Sequence, residues 1–415
     1  MRIIALLCVL MLTACSRNPV TGKSELGLVS ESQEIEIGES NYQLLEQAEG
    51  GPFVTFPSIE KYVEKVGKKL AAVSDRPYLP YEFIVLNNSI PNAWSLPGGK
   101  IGINRGLLLE LHTEAELAAV LAHEIVHSAA RHSAKHYERQ LLLSAGLLGL
   151  DQVLSDHKYE DVAMGTAALG ATLVTMKYSR HAELEADQYG IKYMVAAGYD
   201  PQAAVDLQRI FLKLSEEKKQ NWLMGLFATH PPSEDRIRAN QATVDTYSSG
   251  GFNGAQEYEN AMRQLRKAAP AYKDLDLGYA ALKKGAFEKA HVLAKDGIKI
   301  ESKEGHLFNL KGKAEVELKR PQEALASFNR AIELNPDYFD FYLQRGNLKY
   351  QLGDLTGSEK DLAASNTLLP SADAYLTLGE IAWIKGEEER AMNYFRIAAQ
   401  AHSAAGAEAR KKLEH

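Results

Sequence analysis

Apolar residues recur along most of the chain with the spacing of one helix face, and strand-like alternation is confined to a short region. One predicted amphipathic helix shows the pattern clearly: Ile59, Val63, Val66 and Leu70. Residues 81–86 predict a strand, and residues 92–104 predict two short strands around a Pro97-Gly98-Gly99 turn. The N-terminal part is therefore expected to be α+β and mainly helical, with a small β-sheet.

Polar capping patterns mark where longer helices begin. Thr113 and Glu116 form a capping box, which opens a helix expected to continue through about His136. A further helix is expected from about Ser179 to Ala197. Two Gly/Ala/Leu-rich apolar stretches are too short to span a membrane comfortably: residues 141–150 and 162–176. They are interpreted as buried or partly lipid-facing helices, with burial favoured.

After residue 250 the sequence becomes helical and periodic. Glycines recur every 33 or 34 residues: Gly278, Gly312, Gly346 and Gly379. A small residue follows each of them twelve positions later: Ala290, Ala324, Ser358 and Ala391. This period resembles the tetratricopeptide repeat, in which small residues let the two helices of a unit approach closely. Four such units would form an all-α solenoid with a continuous core, and a non-repetitive helical domain is the alternative.

The N-terminus looks like the leader of a bacterial lipoprotein. An apolar run at residues 3–12 follows the single charge of Arg2, which suits a signal peptide and is too short to span a bilayer. The run ends in Leu-Thr-Ala-Cys at residues 12–15, which resembles a lipobox with Cys15 as the lipidated residue. We therefore expect a periplasmic, lipid-anchored protein, and Ser16 favours the outer membrane of a Gram-negative bacterium. An ordinary cleaved signal and a buried apolar strand are the alternatives.

These patterns divide the 415 residues into five parts. The expected parts are a signal peptide at 1–14, an α+β domain at 15–250, a linker at 251–270, tetratricopeptide repeats at 271–404 and a C-terminal tail at 405–415. The formal net charge of −7 argues against a nucleic-acid partner, because such proteins carry basic surfaces. Cys8 would be removed and Cys15 lipidated, so a metal site in the mature protein would not use thiolates.

The strongest chemical signal is His-Glu-Ile-Val-His at residues 123–127. Because positions four apart lie on one face of a helix, His123 and His127 can bind one Zn²⁺ while Glu124 activates a water. The motif falls inside the amphipathic helix that begins after Thr113. The alternative is a pair of surface histidines on an exposed helix.

A catalytic zinc ion usually has three protein ligands and one open position, so a third ligand is needed. Glu183 and Asp187 lie four residues apart on the next long helix. One carboxylate could bind zinc there, and the other could accept the free ring N–H of a ligand histidine. Glu185 would point about 200° away from Glu183. A solvated acidic face is the alternative for all three carboxylates.

Together these blocks resemble the gluzincin zinc metallopeptidases of the CAAX-prenyl-endopeptidase (Ste-type) family, in particular its periplasmic, BepA-like members. The resemblance covers roughly residues 25–245 and includes four segments: 92–104, 123–132, 179–190 and 229–232. It implies that residues 15–250 form a zinc metallopeptidase domain with one zinc ion, with Glu183 as the third ligand and Asp187 as the partner of a ligand. It also implies that His230 lies near the metal, as a fourth ligand or as a group that stabilises the oxyanion. Other histidines near the motifs are assigned no role and are expected at surfaces or caps: His112, His132, His136 and His181.

By resemblance to this family, we expect a zinc-dependent endopeptidase that hydrolyses peptide bonds of misfolded or stalled envelope proteins. An extended substrate would add to a strand edge by backbone hydrogen bonds. Five residues are expected to contact it: Ala93, Trp94, Gly98, Gly99 and Ile101. The repeats would recruit substrates or partners such as the outer-membrane assembly machinery. The alternative is a chaperone-like adaptor of that machinery with latent protease activity. A zinc-dependent sugar or lipid hydrolase is disfavoured, because the sequence offers no second carboxylate pair.

Overall fold

The computed structural model describes four parts of the chain: residues 15–139, 177–216, 225–248 and 250–414. The expected signal peptide and the two apolar stretches at 141–150 and 162–176 lie outside these parts. Within them, no helix combines the length and the apolar character needed to cross a membrane.

The described residues form two compact units, of which the first combines a small sheet with several helices. It comprises the described residues of three segments: Met1–Tyr42, Pro57–Asp156 and Leu169–Arg263. Its strands are β1 Cys15–Arg17, β2 Ser24–Leu26, β3 Glu82–Leu86, β4 Ala93–Leu96 and β5 Lys100–Asn104. Its helices are α1 Glu31–Ala48 (which ends in the second unit), α2 Pro57–Ala71, α3 Arg105–Glu110, α4 Glu114–Ala129, α5 Arg180–Ala196, α6 Gln202–Glu216, α7 Leu226–Thr229 and α8 Glu234–Val244.

Strands β3, β4 and β5 form a three-stranded sheet in the order β3-β5-β4. The central strand β5 pairs in parallel with β3 and antiparallel with β4, where Trp94 lies opposite Gly102. Glycine is needed at this position, because a Cβ on residue 102 would lie 2.4 Å from the Trp94 indole. The small sheet expected from the sequence is thus confirmed, and β4 lies at one of its edges.

The helix with the HExxH motif is shorter than the sequence predicts. Helix α4 ends at Ala129, and Arg131 adopts φ = +62°, a left-handed conformation that interrupts a right-handed helix. A second helical stretch, residues 132–139, follows this turn. The Arg131 side chain is held by Glu34 on α1, to which its Nε donates a hydrogen bond of 3.1 Å. The expectation of one continuous helix through His136 is therefore wrong.

The second unit is an all-α array of paired helices. It includes Gln43–Phe56 and Gln264–His415. Its helices are α9 Ala255–Lys283 (which begins in the first unit), α10 Phe287–Ile300, α11 Gly305–Glu317, α12 Pro321–Leu334, α13 Phe339–Gln351, α14 Leu355–Leu368, α15 Ala372–Ile384, α16 Glu388–Ala399 and α17 Ala404–Leu413. The repeated glycines let paired helices touch: a Cβ on Gly312 would lie 2.5 Å from the Phe328 ring, and one on Gly379 would lie 2.4 Å from the Phe395 ring.

Residues 43–56 belong to this second unit, although they precede its main part by a long stretch of sequence. The Gln47 side chain donates to the carbonyl of Asp337 at 2.7 Å and accepts from the backbone N–H of Phe339 at 2.9 Å. Phe53 is buried and packs edge-on against Tyr272, with ring centroids 5.9 Å apart. A segment from the early part of the chain therefore completes the packing of the repeats.

Two segments expected as a linker and a tail are instead helical. Helix α9 begins inside the expected linker at 251–270, and Tyr258 is buried there with its hydroxyl donating to the Leu108 carbonyl at 2.7 Å. Helix α17 occupies most of the expected tail at 405–415. Its alanines Ala405 and Ala409 are buried in the cluster that contains Ala398. Both corrections arise because apolar residues at helical spacing continue beyond the boundaries drawn from composition.

Replacing Gly312 by valine should loosen the second unit. The new side chain would overlap the buried Phe328 ring, and overpacking of this kind costs about 1–3 kcal/mol. Hydrogen–deuterium exchange of the full chain should then accelerate in α11 and α12. Glu317→Val, on an exposed position of α11, is the matched control and should leave the exchange unchanged. Equal exchange in the two variants would contradict this account of the repeated glycines.

Candidate metal centre

Helix α4 places the HExxH residues on a buried face. The helix begins at a cap in which Thr113 Oγ1 accepts the backbone N–H of Glu116 at 3.0 Å. The Nε2 atoms of His123 and His127 lie 3.0 Å apart. The side chain of His123 is 12% exposed, and those of Glu124 and His127 are buried. The structure thus excludes the alternative of two exposed surface histidines.

Helix α5 brings Glu183 opposite both histidines. Its Oε2 lies 3.5 Å from His123 Nε2, and its Oε1 lies 3.5 Å from His127 Nε2. The two helices approach closely at Gly190, where a Cβ would lie 3.3 Å from the backbone nitrogen of His123. Since Glu183 is also buried, it does not belong to a solvated acidic face.

His230 joins this cluster from the end of helix α7. Its Nδ1 lies 2.9 Å from Glu183 Oε1 and 3.3 Å from His123 Nε2, and its Nε2 lies 3.6 Å from Glu124 Oε1. The side chain is buried. A residue that spacing alone would assign to a polar turn therefore lies among the other three candidate ligands.

The four side chains fit a metal ion. One ligand atom from each of His123, His127, Glu183 and His230 can be chosen so that all lie within 4.8 Å of one another. The contacts between them measure from 2.9 to 3.5 Å. Tetrahedral coordination with bonds of about 2.0–2.1 Å requires about 3.3–3.4 Å between ligand atoms. The buried His/Glu group can therefore hold a metal without large rearrangement, and its nitrogen and oxygen donors suit zinc.

Asp187 and Arg236 support the ligands from outside the cluster. Asp187 Oδ1 lies 3.0 Å from His123 Nδ1, so it can accept the ring N–H and leave Nε2 facing the cluster. Arg236 on α8 donates to both oxygens of Asp187, each at 2.7 Å, and its Nη1 lies 2.8 Å from Glu183 Oε2. Arg236 could not be identified from the sequence, because a lone arginine on another helix carries no motif.

The charges of these groups shift one another's pKa values. Burial raises the pKa of Glu183, but the nearby His230 and Arg236 lower it by a larger amount. The pKa of Glu183 therefore lies well below its usual range. Burial also raises the pKa of Asp187, and Arg236 more than offsets this effect. For His123 burial lowers the pKa, but Asp187 and Glu183 raise it to about 10. Without metal these shifts favour the ionised form of both carboxylates and the protonated form of His123, and metal binding opposes the latter.

Glu124 is available as a proton acceptor. Its side chain is 1% exposed, and its Oε2 has no hydrogen-bond partner among the residues that the structure describes. A cavity of about 40 Å³ adjoins Glu124 and His123, which is enough for at least one water molecule. A buried carboxylate oxygen beside such a space suits a general base that awaits a water.

Two residues without a predicted role contact the His127 ring. Tyr178 stacks on it, with ring centroids 3.9 Å apart and an interplanar angle of 18°, and the Tyr178 hydroxyl lies 2.8 Å from Ser133 Oγ. His132 Nδ1 lies 2.9 Å from His127 Nδ1. His132 is buried, so the expectation of a surface or capping histidine is wrong for this residue.

The five residues expected to contact substrate do not share one edge. Ile101 lies on β5, whose backbone already pairs with a strand on each side, so the prediction is wrong for this residue. Gly98 and Gly99 are also buried: a Cβ on the first would lie 2.8 Å from the backbone of Ile35, and one on the second would lie 2.8 Å from Tyr81. The other two of the five residues, Ala93 and Trp94, lie on the edge strand β4.

Comparison with known proteins agrees with this geometry. Residues 57–244 match the family model of peptidase family M48. The chain is 29% identical over 234 residues to the beta-barrel assembly-enhancing protease of Escherichia coli, which covers 54% of this chain and 47% of that protein. It is 36% identical over 184 residues to the mitochondrial metalloendopeptidase OMA1 of Schizosaccharomyces pombe, which covers 43% of this chain and 50% of that protein. The chain thus spans about half the length of these curated relatives.

The second unit also matches known sequences. Residues 312–353 match a TPR repeat model, and residues 372–400 match a tetratricopeptide repeat model. Among solved structures, the crystal structure of MamA aligns with a TM-score of 0.30 and 21% identity, covering 39% of this chain and 86% of that chain. Residues 57–244 therefore resemble a peptidase family M48 domain, and the repeats that follow them resemble tetratricopeptide repeats.

Proposed function

We propose that this protein is a zinc-dependent endopeptidase of the BepA-like, Ste-type group. The observation that carries the proposal is the unpartnered Glu124 Oε2, buried beside a cluster of four candidate ligands. A carboxylate in this position can move protons during hydrolysis, and the His/Glu set suits one zinc ion per chain.

Each residue of the site has a separate role in peptide-bond hydrolysis. His123, His127 and Glu183 hold the zinc ion, which when bound makes a nearby water more acidic and polarises the peptide carbonyl. Glu124 takes the proton of the attacking water through its free oxygen and later donates it to the leaving nitrogen. The ionised Asp187 keeps His123 in the tautomer that binds through Nε2.

In the resting enzyme, His230 fills the coordination position that would otherwise be open. Its Nδ1 lies as close to Glu183 and His123 as these ligands lie to each other, which favours its role as a fourth ligand over that of an oxyanion stabiliser in this conformation. Withdrawal of His230 would free the position that substrate and water need. In this state the set of metal ligands is therefore complete, and the enzyme is inactive.

The substrates are extended segments of misfolded or stalled envelope proteins. β4 offers the edge to which such a segment would add, through the backbone of Ala93 and Trp94. Part of this strand is already occupied, because the carbonyl of Ser95 accepts a hydrogen bond from Ser133 Oγ at 3.1 Å. The similarity to the beta-barrel assembly-enhancing protease of Escherichia coli supports a role in outer-membrane protein quality control. A lipid on Cys15 would anchor the protein in the periplasm, and the repeats would recruit protein partners such as the assembly machinery.

A second candidate function is a chaperone-like adaptor of that machinery with latent protease activity. The position of His230 among the ligands favours it, because a filled site is inactive until the histidine moves. The two functions differ in whether Glu124 is needed.

Replacing Glu124 by glutamine should abolish hydrolysis of an unfolded protein such as casein and leave about one zinc per chain. The amide cannot accept the proton, whereas the proposed ligands are untouched; loss of a general base typically costs about 10²–10⁴-fold in rate. Zinc content by mass spectrometry and cleavage by gel electrophoresis check both parts. The exposed His112→Gln variant serves as the control and should retain activity and metal. If Glu124→Gln protein restores a deletion strain as fully as the wild type does, the adaptor function is correct instead.

Replacing His230 or Glu183 by alanine should separate a displaceable ligand from a required one. Without His230 three ligands remain, so zinc should stay bound with weaker affinity. Without Glu183 the site would lose a ligand, and one carboxylate fewer would balance the charge of the buried Arg236. Stoichiometric zinc should therefore be lost. Zinc titration with a competing chelator distinguishes the variants. A Glu183→Ala protein with wild-type zinc affinity would rule out this ligand set.

A further inference from the structure

The His127 ring is held at both of its nitrogen atoms. Its Nε2 faces the candidate ligands, 3.0 Å from His123 Nε2 and 3.5 Å from Glu183 Oε1. Its Nδ1 faces away from them and lies 2.9 Å from the Nδ1 of His132. Among the described residues, no carboxylate lies at the outer nitrogen of His127, in contrast to His123, whose Nδ1 lies directly against Asp187.

The contact between His127 and His132 permits only one proton between the two nitrogens. Which ring donates is decided on the far side of His132, where Nε2 lies 3.2 Å from Glu185 Oε1. An ionised carboxylate only accepts hydrogen bonds, so His132 must carry its proton on Nε2. His132 Nδ1 then becomes the acceptor, His127 donates from Nδ1, and His127 Nε2 keeps the lone pair that a metal needs.

The surroundings of this chain of groups keep it in place. His132 and Glu185 are buried, with 7% and 8% of their surfaces exposed. Tyr178 covers one face of the His127 ring. Another histidine, His181, also approaches Glu185, at 3.7 Å from Oε2, but its side chain is 72% exposed and no contact links it to His127.

We propose that His132 and Glu185 are positioning residues that fix the tautomer and orientation of His127 for metal binding. The inference rests on the proposed zinc site and extends it by a second carboxylate, which acts on a ligand histidine through an intervening imidazole. Glu183 and Glu185 thus serve the same ligand from two faces of α5: one lies near its Nε2, and the other reaches its Nδ1 through His132.

The turn at Arg131 makes this arrangement possible. Residues five apart on a continuous helix point about 140° away from each other, so His132 would not reach His127 if α4 simply continued. The left-handed conformation of Arg131 brings the next residue back towards the helix that precedes it. Such a conformation costs about 1–2 kcal/mol for a residue other than glycine, and the ion pair of Arg131 with the buried Glu34 offsets it.

The test measures zinc affinity of the full-length protein by competition with a chelator, together with the absorption spectrum of the Co²⁺-loaded form. His132→Leu and Glu185→Leu should each weaken zinc binding by about 10–100-fold and alter the Co²⁺ spectrum. His132→Asn keeps an acceptor near the Nδ1 position and a donor, and should bind zinc within about threefold of wild type. The double variant with both leucines should bind no more weakly than His132→Leu alone, because either change breaks the same chain. His181→Leu is the matched control for the region around Glu185 and should behave as wild type.

The outcomes separate this inference from the proposed function. A wild-type protein that binds no zinc would refute the zinc site itself. If the wild type binds zinc and His132→Leu binds it equally well, or if His132→Asn loses as much affinity as His132→Leu, the positioning role is wrong. Should His132→Leu fail to fold, as judged by circular dichroism, Glu185→Gln and Glu185→Leu decide the question. The glutamine still accepts from Nε2 and should retain more affinity than the leucine; equal affinities would overturn the inference.

Discussion

Compensation of buried charge is the constraint on which the candidate site depends. Glu183 and Asp187 are almost fully enclosed, and an enclosed carboxylate without a partner would take up a proton. Arg236 lies between them and contacts both, at 2.8 and 2.7 Å. Because one guanidinium keeps two carboxylates ionised, the ligand geometry is present before a metal arrives, and binding need not assemble the site.

Spacing along a helix sets the direction of side chains, so it identified His123, His127, Glu183 and Asp187 as candidate site residues, whereas only the family resemblance pointed to His230. His123 with His127 and Glu183 with Asp187 are pairs four residues apart, and each pair lies on the face that spacing predicts. The repeats were predictable for a similar reason: the recurring glycines mark where two helices touch. Where composition alone set a boundary, as for the linker and the tail, the prediction failed, since helices continue as long as an apolar face can be buried.

Residues that reach the site by tertiary contacts could not be predicted in this way. Arg236 is 49 residues from Asp187 and belongs to another helix, so no local pattern connects them. The position of His132 depends on the turn at Arg131. An arginine in the sequence does not indicate a left-handed conformation, whereas a glycine would. The candidate positions on α4 and α5 are readable from sequence, whereas the groups that contact them from other parts of the chain follow from the fold.

The position of residues 43–56 has a consequence for how such a protein can be built and divided. The stretch precedes residues 57–244 in sequence, yet Gln47 and Phe53 complete the packing of the repeats. The repeat array is therefore not built from one contiguous stretch of sequence. A shortened chain that ends before the repeats would keep Phe53 but lose Tyr272, the ring against which it packs.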